Sequence, residues 1–160
     1  MIKLNSFNLL STNLLIIIVF SFSTSIFLFQ RNKVNASLFF LILSSLTAGF
    51  FISTLDPFLH IWDEQYHALV AKNLTGNWLK PTLFSSPILE YNFRNWTENY
   101  IWLHKQPLFL WQIALSIKFF GINELAVRIP SIILHTLTTI IIFRLGSIIK
   151  NISTGFYGAL

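Results

Sequence analysis

The 160-residue chain contains no cysteine, which excludes disulfides, thiolate metal sites and cysteine nucleophiles. Charge is also scarce. Charged residues make up 11% of the chain against 54% hydrophobic, and mean hydropathy is +0.64. A water-facing surface carries roughly 25–35% charge, so much of the apolar surface must face lipid. The formal net charge of +5 comes from basic residues scattered singly. Those outside the middle of the chain flank apolar runs, as membrane topology signals do, and they do not form the basic patch that a nucleic-acid partner needs. The composition is that of an integral membrane protein.

Acidic residues are missing from both ends. All six (Asp56, Asp63, Glu64, Glu90, Glu98, Glu124) lie between positions 56 and 128, with all five tryptophans, three of four histidines and four of five prolines. Six basic residues (Lys72, Lys80, Arg94, Lys105, Lys118, Arg128) make that stretch formally neutral, so the excess resides in Lys3, Arg31, Lys33, Arg144 and Lys150. The chain reads as membrane, then an aqueous or interfacial segment, then membrane.

A bilayer core requires about 20 consecutive apolar residues in a helix. Leu9–Phe29 and Ala36–Leu55 meet this, joined by the polar Gln30–Asn35, and Ile129–Ile149 supplies a third span. Pro130 falls in the first turn of that third span, where proline is tolerated. Arg144 lies near enough to its end to snorkel, and His135 within it is suited to bonding a neighbouring helix. A cleaved signal peptide is the alternative for the first span, disfavoured by the length of its apolar run. The fold class is all-α integral membrane. It divides into two transmembrane helices (1–55), a long loop with interfacial helices and the candidate site (56–128), a third transmembrane helix (129–150) and the opening of a further, truncated span (151–160). Placing 56–128 on the outer or lumenal face gathers Arg31, Lys33, Arg144 and Lys150 on the cytoplasmic side, as the positive-inside rule requires.

Within the loop, Pro107–Phe120 is apolar but short, which suits an interfacial or re-entrant helix. Extending it back to Ile101 would complete a span at the expense of burying His104 and Lys105. Asp63 opens a helical pattern in which Tyr66, Leu69, Val70 and Leu74 recur at three- and four-residue spacing until Gly76. Asp63 suits the N-cap, with Glu64 in the first turn. That arrangement is an ordinary capped amphipathic helix. It also sets paired carboxylates beside Trp62 and Tyr66, where a lipid headgroup would meet an acceptor. An ionised Asp63 there can take the proton of an acceptor hydroxyl during glycosyl transfer. His60, Asp63, Glu64 and His67 are all metal-capable, and Glu64 with His67 has the Glu-x-x-His spacing of some carboxylate metal sites. A divalent ion is admitted by this set, although no cofactor is required, and a histidine-flanked interfacial helix is the simpler reading. Lys105 can bind a phosphate as a point charge or snorkel at the lipid boundary, and Arg94 is a second candidate for the phosphate. Asn73-Leu74-Thr75 and Asn95-Trp96-Thr97 fit the N-glycosylation pattern.

Four pieces occur in order: Asp63-Glu64 with Tyr66-His67-Ala68; Gly76-Asn77-Trp78 with Pro81; Lys105-Gln106-Pro107-Leu108 with Trp111; and Phe120-Gly121-Ile122-Asn123-Glu124 with Ala126, Arg128, Pro130 and Ser131. In this the chain resembles the amino-terminal part of a polytopic GT-C glycosyltransferase. The nearest group is the superfamily of dolichyl-phosphate-mannose–protein mannosyltransferases and aminoarabinose transferases. The resemblance covers about residues 45 to 150. It implies a first outer or lumenal loop that helps form the active site. Asp63 then matches the acidic position proposed as catalytic base, Glu64 its paired acid, and Lys105 the lysine contacting the donor phosphate. His104 stands where the family often has glutamate, and Gln106 replaces the first of two prolines. The implied partners are a polyprenyl-phosphate-sugar donor, membrane lipid and an acceptor of unspecified class.

The leading expectation is therefore an inverting glycosyltransferase fragment that uses a polyprenyl-phosphate-linked sugar and is inactive alone. Asp63 and Glu64 are its catalytic candidates, and Lys105, His104 and Arg94 its substrate-binding ones. A bacterial inner (plasma) membrane is favoured over endoplasmic reticulum. The competing readings are a small non-catalytic membrane protein that binds lipid or a partner, and a metal-binding transport component built on His60, Asp63, Glu64 and His67.

Overall fold

The computed structural model describes the chain except Met1, Ser85, Pro87, Leu89, Tyr91, Phe93 and residues 96–98; the side chains of residues 2–9 are also outside the description. The Asn95-Trp96-Thr97 pattern and Glu98 thus lie outside the described residues. Among the described residues six helices follow in order: α1 (Ile2–Gln30), α2 (Val34–Leu55), α3 (Asp63–Leu74), α4 (Pro107–Phe120), α5 (Glu124–Ile149) and α6 (Ile152–Ala159). No strand occurs among the described residues; the nearest approach is an isolated antiparallel bridge between Thr82 and Ile101. Three helices are long and apolar enough to cross a membrane: Leu10–Gln30 within α1, then α2 and α5. The protein is an all-helical integral membrane protein.

The chain forms two compact units. One comprises residues 1–56 and 131–160, the other residues 57–130. In the first, α1 and α2 make a tight hairpin. Its turn closes through Asn32, which takes φ of 59°, a left-handed conformation that asparagine adopts more readily than most residues. Apolar side chains gain little by associating in lipid, so such helices join through small and polar residues. Ser25 and Ser37 meet this need reciprocally, each hydroxyl donating to the other residue's carbonyl at 2.8 Å. Ser44 adds a bond to the Ile18 carbonyl at 3.4 Å, and Thr139 of α5 donates to Ser45 at 3.0 Å. Among the described residues His135 has no hydrogen bond to a neighbouring helix, contrary to expectation. It lines a groove of about 430 Å³ with Ser44, Ser45, Thr138 and Thr139.

The third span departs from expectation at its start. Asn123 accepts the Ala126 N–H at 2.8 Å, and the helix begins at Glu124. Pro130 consequently lies in the helix interior, past the first turn. The charged Glu124 and Arg128, which bracket Leu125, Ala126 and Val127, hid this turn from a search for uncharged apolar runs. Ile101 pairs with Thr82 and α4 begins only at Pro107, so α4 is a short apolar helix, as its length suggested.

After Lys150 the chain reverses, and Asn151 caps α6 by accepting the Thr154 N–H at 2.8 Å. Gly155 and Gly146 let α6 and α5 touch backbone to backbone: a Cβ on Gly146 would lie 2.7 Å from the Gly155 Cα. Phe156 then stacks on Phe29 with ring centroids 3.9 Å apart. Gly155→Val is expected to destabilise this unit by about 1–3 kcal/mol through overpacking, read as a lower melting temperature in detergent. Gly158→Ala, whose Cβ would meet only Ile142 at 3.5 Å, serves as the neutral control.

Candidate functional site

The second unit is built on α3 and α4. On α4, Leu110, Ile113, Ala114 and Ile117 are buried at helical spacing. They pack with Val70, Ala71 and Leu74 of α3, with Leu83 and Trp102 from the connecting segments, and with Ala126 and Val127 of α5. The apolar stripe of α3 is rotated from the expected one. Val70 and Leu74 are buried as expected, but His67 and Ala71 complete the face, while Leu69 is 38% exposed and Tyr66 partly buried. Leucine outranks histidine in hydrophobicity, so the pattern alone placed Leu69, and not His67, at the edge of this face. The connection from α3 to α4 is held by three ties. Asn73 donates to the carbonyls of Thr82 and Leu83 at 2.8 and 3.2 Å. The Trp111 indole donates to the Trp78 carbonyl at 2.7 Å, and Lys118 lies over the Trp78 ring at 5.5 Å. With its amide so engaged, Asn73 is a structural residue within its glycosylation pattern.

Asp63 is the first residue of α3 and is exposed. It is not the cap: Trp62 holds that place, and no side chain caps the helix. Glu64 takes over the work of ordering the helix start. It accepts the His60 backbone N–H at 2.8 Å and a forked pair of bonds from Arg128, at 3.2 Å from Nε and 2.9 Å from Nη2. Arg128 also donates to the Phe58 carbonyl at 2.8 Å. The hydrogen bond from Arg128 holds the Glu64 carboxyl below its ordinary range against the opposing effect of burial, aided by the His60 N–H. Planar, bidentate pairing of this kind is what arginine supplies and lysine does not. Arg128 was missed as a site residue, because sixty-four positions separate it from its partner and only the fold reveals the pair.

An aromatic cluster stands beside this clasp. Tyr66 stacks on Trp102 at 5.5 Å and meets Trp62 edge-on at 5.6 Å. Trp102 in turn meets the His67 ring at 6.4 Å and the His104 ring at 5.6 Å. Trp102, His104 and Lys105 line a cleft of about 660 Å³ with Leu79, Pro81, Leu103, Gln106, Pro107 and Trp111. Two of the three proposed substrate-binding residues therefore share one cleft. Arg94 is exposed and is not among the residues lining it. Nor are His60, Asp63, Glu64 and His67 gathered into a metal-holding group, since no three acidic or histidine groups come together among the described residues. Glu64 is instead committed to Arg128.

His67 is buried, and its imidazole is shifted below the ordinary histidine range, first by burial and then by repulsion from Lys105 and His104, with Asp63 opposing. The cleft thus combines a cation, a second basic group and apolar walls, whereas Asp63 and Glu64 are not among the residues lining it. Such a surface suits an amphiphile with an anionic head.

Residues 104–160 match the family model for dolichyl-phosphate-mannose-protein mannosyltransferase. The matched stretch is a little over a third of the chain; it contains His104, Lys105, Arg128 and helices α4, α5 and α6, and excludes Asp63 and Glu64. It is similar to a family of membrane glycosyltransferases. No curated protein and no solved structure matches the chain significantly.

Two outcomes follow from the Glu64–Arg128 clasp and from His67. Arg128→Met strips Glu64 of its partner and should destabilise the protein by about 1–3 kcal/mol, with part of the loss recovered in the Glu64→Gln/Arg128→Met double variant. Thermal unfolding in detergent measures both. Acidification should act in two stages. A histidine held neutral in the fold gains protons on unfolding below its ordinary value of 6.5, so stability falls from there downward. The lowered Glu64 contributes stability that is present above its ordinary 4.5 and is lost as pH falls through its folded value. His67→Phe should remove the first stage and Glu64→Gln the second in melting temperature measured against pH.

Proposed function

We propose that this chain is part of a membrane glycosyltransferase that moves a sugar from a polyprenyl-phosphate-linked donor to an acceptor hydroxyl with inversion. The observation that carries this reading is the placing of Lys105 and His104 in one apolar-walled cleft, inside the stretch that matches the mannosyltransferase family. Lys105 meets the donor phosphate and His104 lines the same cleft. Arg94, exposed and away from the cleft lining, has a lesser claim on the substrate. Asp63 accepts the proton of the acceptor hydroxyl. The acceptor oxygen attacks the anomeric carbon, the bond from that carbon to the phosphate oxygen breaks, and polyprenyl phosphate leaves with the bonding pair. A single displacement inverts the anomeric centre without a covalent enzyme intermediate.

In this reading Glu64 is a positioning residue, since its carboxylate is spent on Arg128 and His60. We assign residues 56–128 to the outer face of a bacterial inner membrane, which leaves Arg31, Lys33, Arg144 and Lys150 on the cytoplasmic side. Three spans do not enclose both a polyprenyl chain and an acceptor, so we assign the chain the base and the phosphate contact of a site that further spans complete. No metal is needed for the step.

The test is transfer by the natural protein purified from its own membrane. Asp63→Asn should lower turnover by about 100-fold or more, the scale of general-base catalysis, without affecting membrane insertion. Lys105→Ala should raise the apparent KM for donor. Wild-type turnover in the first variant would remove Asp63 as the base, and an unchanged KM in the second would remove Lys105 from the phosphate.

A further inference from the structure

His67 is a polar residue in an apolar stripe. With Val70, Ala71 and Leu74 it forms the buried face of α3, and it is itself only 7% exposed. Its ring packs edge-on against Phe109 of α4 at 5.1 Å and against Trp102 at 6.4 Å. Its Nε2 is buried with no hydrogen-bond partner among the described residues. Leaving a buried polar atom unpaired is costly, whereas an apolar ring of similar shape would pack there without that deficit. A deficit of this kind, kept in a native fold, calls for a use.

The surroundings supply one. Trp102, which the His67 ring meets edge-on, lines the cleft together with His104 and Lys105, so the imidazole lies behind the Trp102 part of the cleft wall. The groups that act on it are Lys105 and His104 from the segment before α4, which repel its proton, and Asp63 one turn earlier on α3, which attracts it. The face of α4 against it presents Phe109. An anion seated at Lys105 would cancel the repulsion from that cation. Protonation would then become easier, and the charged ring would attract the anion in return.

We propose that His67 is the proton-accepting half of an anion site in this cleft, such that binding a lipid-linked phosphodiester at Lys105 draws one proton from solvent onto Nε2. The new N–H bond leaves an imidazolium of charge +1, which offsets the single negative charge of the phosphodiester. By linkage, ligand and proton strengthen each other's binding by the same factor. The proposal rests on the assignment of the cleft to the donor phosphate, and it adds to that assignment a second cation that exists only in the loaded state. The lipid-linked source follows from the apolar walls: Leu79 and Leu103, both lining the cleft, are 88% and 83% exposed.

The probe is methyl farnesyl phosphate, a phosphodiester whose own charge does not change near neutral pH. It is titrated into the full chain in detergent by calorimetry in two buffers of different ionisation enthalpy. The wild type should take up a substantial fraction of a proton on binding near pH 7, with affinity rising about 5-fold or more toward acid. His67→Phe should bind more weakly with no uptake, and His67→Gln should bind without uptake, which covers the case in which the phenylalanine variant fails to fold. Uptake that persists in both variants and vanishes in His104→Gln would overturn the proposal in favour of His104. Wild-type binding without uptake would overturn it and leave the cleft as an anion site. Displacement of the probe by equimolar dimethyl phosphate would overturn the lipid-linked source. Absence of wild-type binding would overturn the cleft assignment and this proposal together.

Discussion

The fork of hydrogen bonds from Arg128 to Glu64 is the interaction on which the second unit turns. It joins the first turn of α3 to the first two turns of α5, and through the Phe58 carbonyl and the His60 N–H it also ties down the chain entering α3. A charged pair at this depth is not a gain in itself, because removing charges from water is costly and the attraction roughly repays it. Its value lies in geometry. A planar guanidinium against a carboxylate admits few orientations, so the helix start that carries Asp63 has few orientations as well. Of two adjacent carboxylates, one is thereby consumed as an anchor and the other is left exposed.

The same division of labour appears around the cleft. The buried stripe of α4 and its partners on α3 hold the aromatic cluster, and that cluster presents Lys105 and His104 at the cleft wall. Short polar ties, from Asn73 to the 82–83 carbonyls and from Trp111 to the 78 carbonyl, set the intervening chain where no regular structure does so. These ties satisfy backbone groups that would otherwise be orphaned. They also explain why Asn73, within a glycosylation pattern, is a structural residue. In the membrane unit, serines and a close pair of glycines perform the joining that apolar packing cannot perform against lipid.

The spans, the short helix Pro107–Phe120 and the helix opened by Asp63 were legible because each rests on a local quantity: an apolar run of sufficient length, or a repeat of three and four residues. Errors arose where the deciding quantity was not local. Arg128 looked like one basic residue in a neutral segment because its partner lies sixty-four positions away; Pro130 is the exception, a local miss in which Arg128 ended the uncharged run although Asn123, accepting the Ala126 N–H, already opens the helix. On α3 the hydrophobic ranking favoured Leu69 over His67, yet the facing surfaces of Trp102 and Phe109 accept the flat imidazole and leave the leucine outside.

The sequence by itself determined that this chain lives in a membrane and that its acidic residues and tryptophans lie between the second and third spans, which makes Asp63 and Lys105 candidates for chemistry there. It did so because partition into lipid and helix periodicity depend only on residues near one another in the chain. Tertiary structure decided which carboxylate is anchored and which is exposed, that Lys105 and His104 share a cleft while Arg94 is not part of its lining, and that a histidine occupies a core position. These depend on pairings across tens of residues, whose energies exist only once the helices have packed and excluded water.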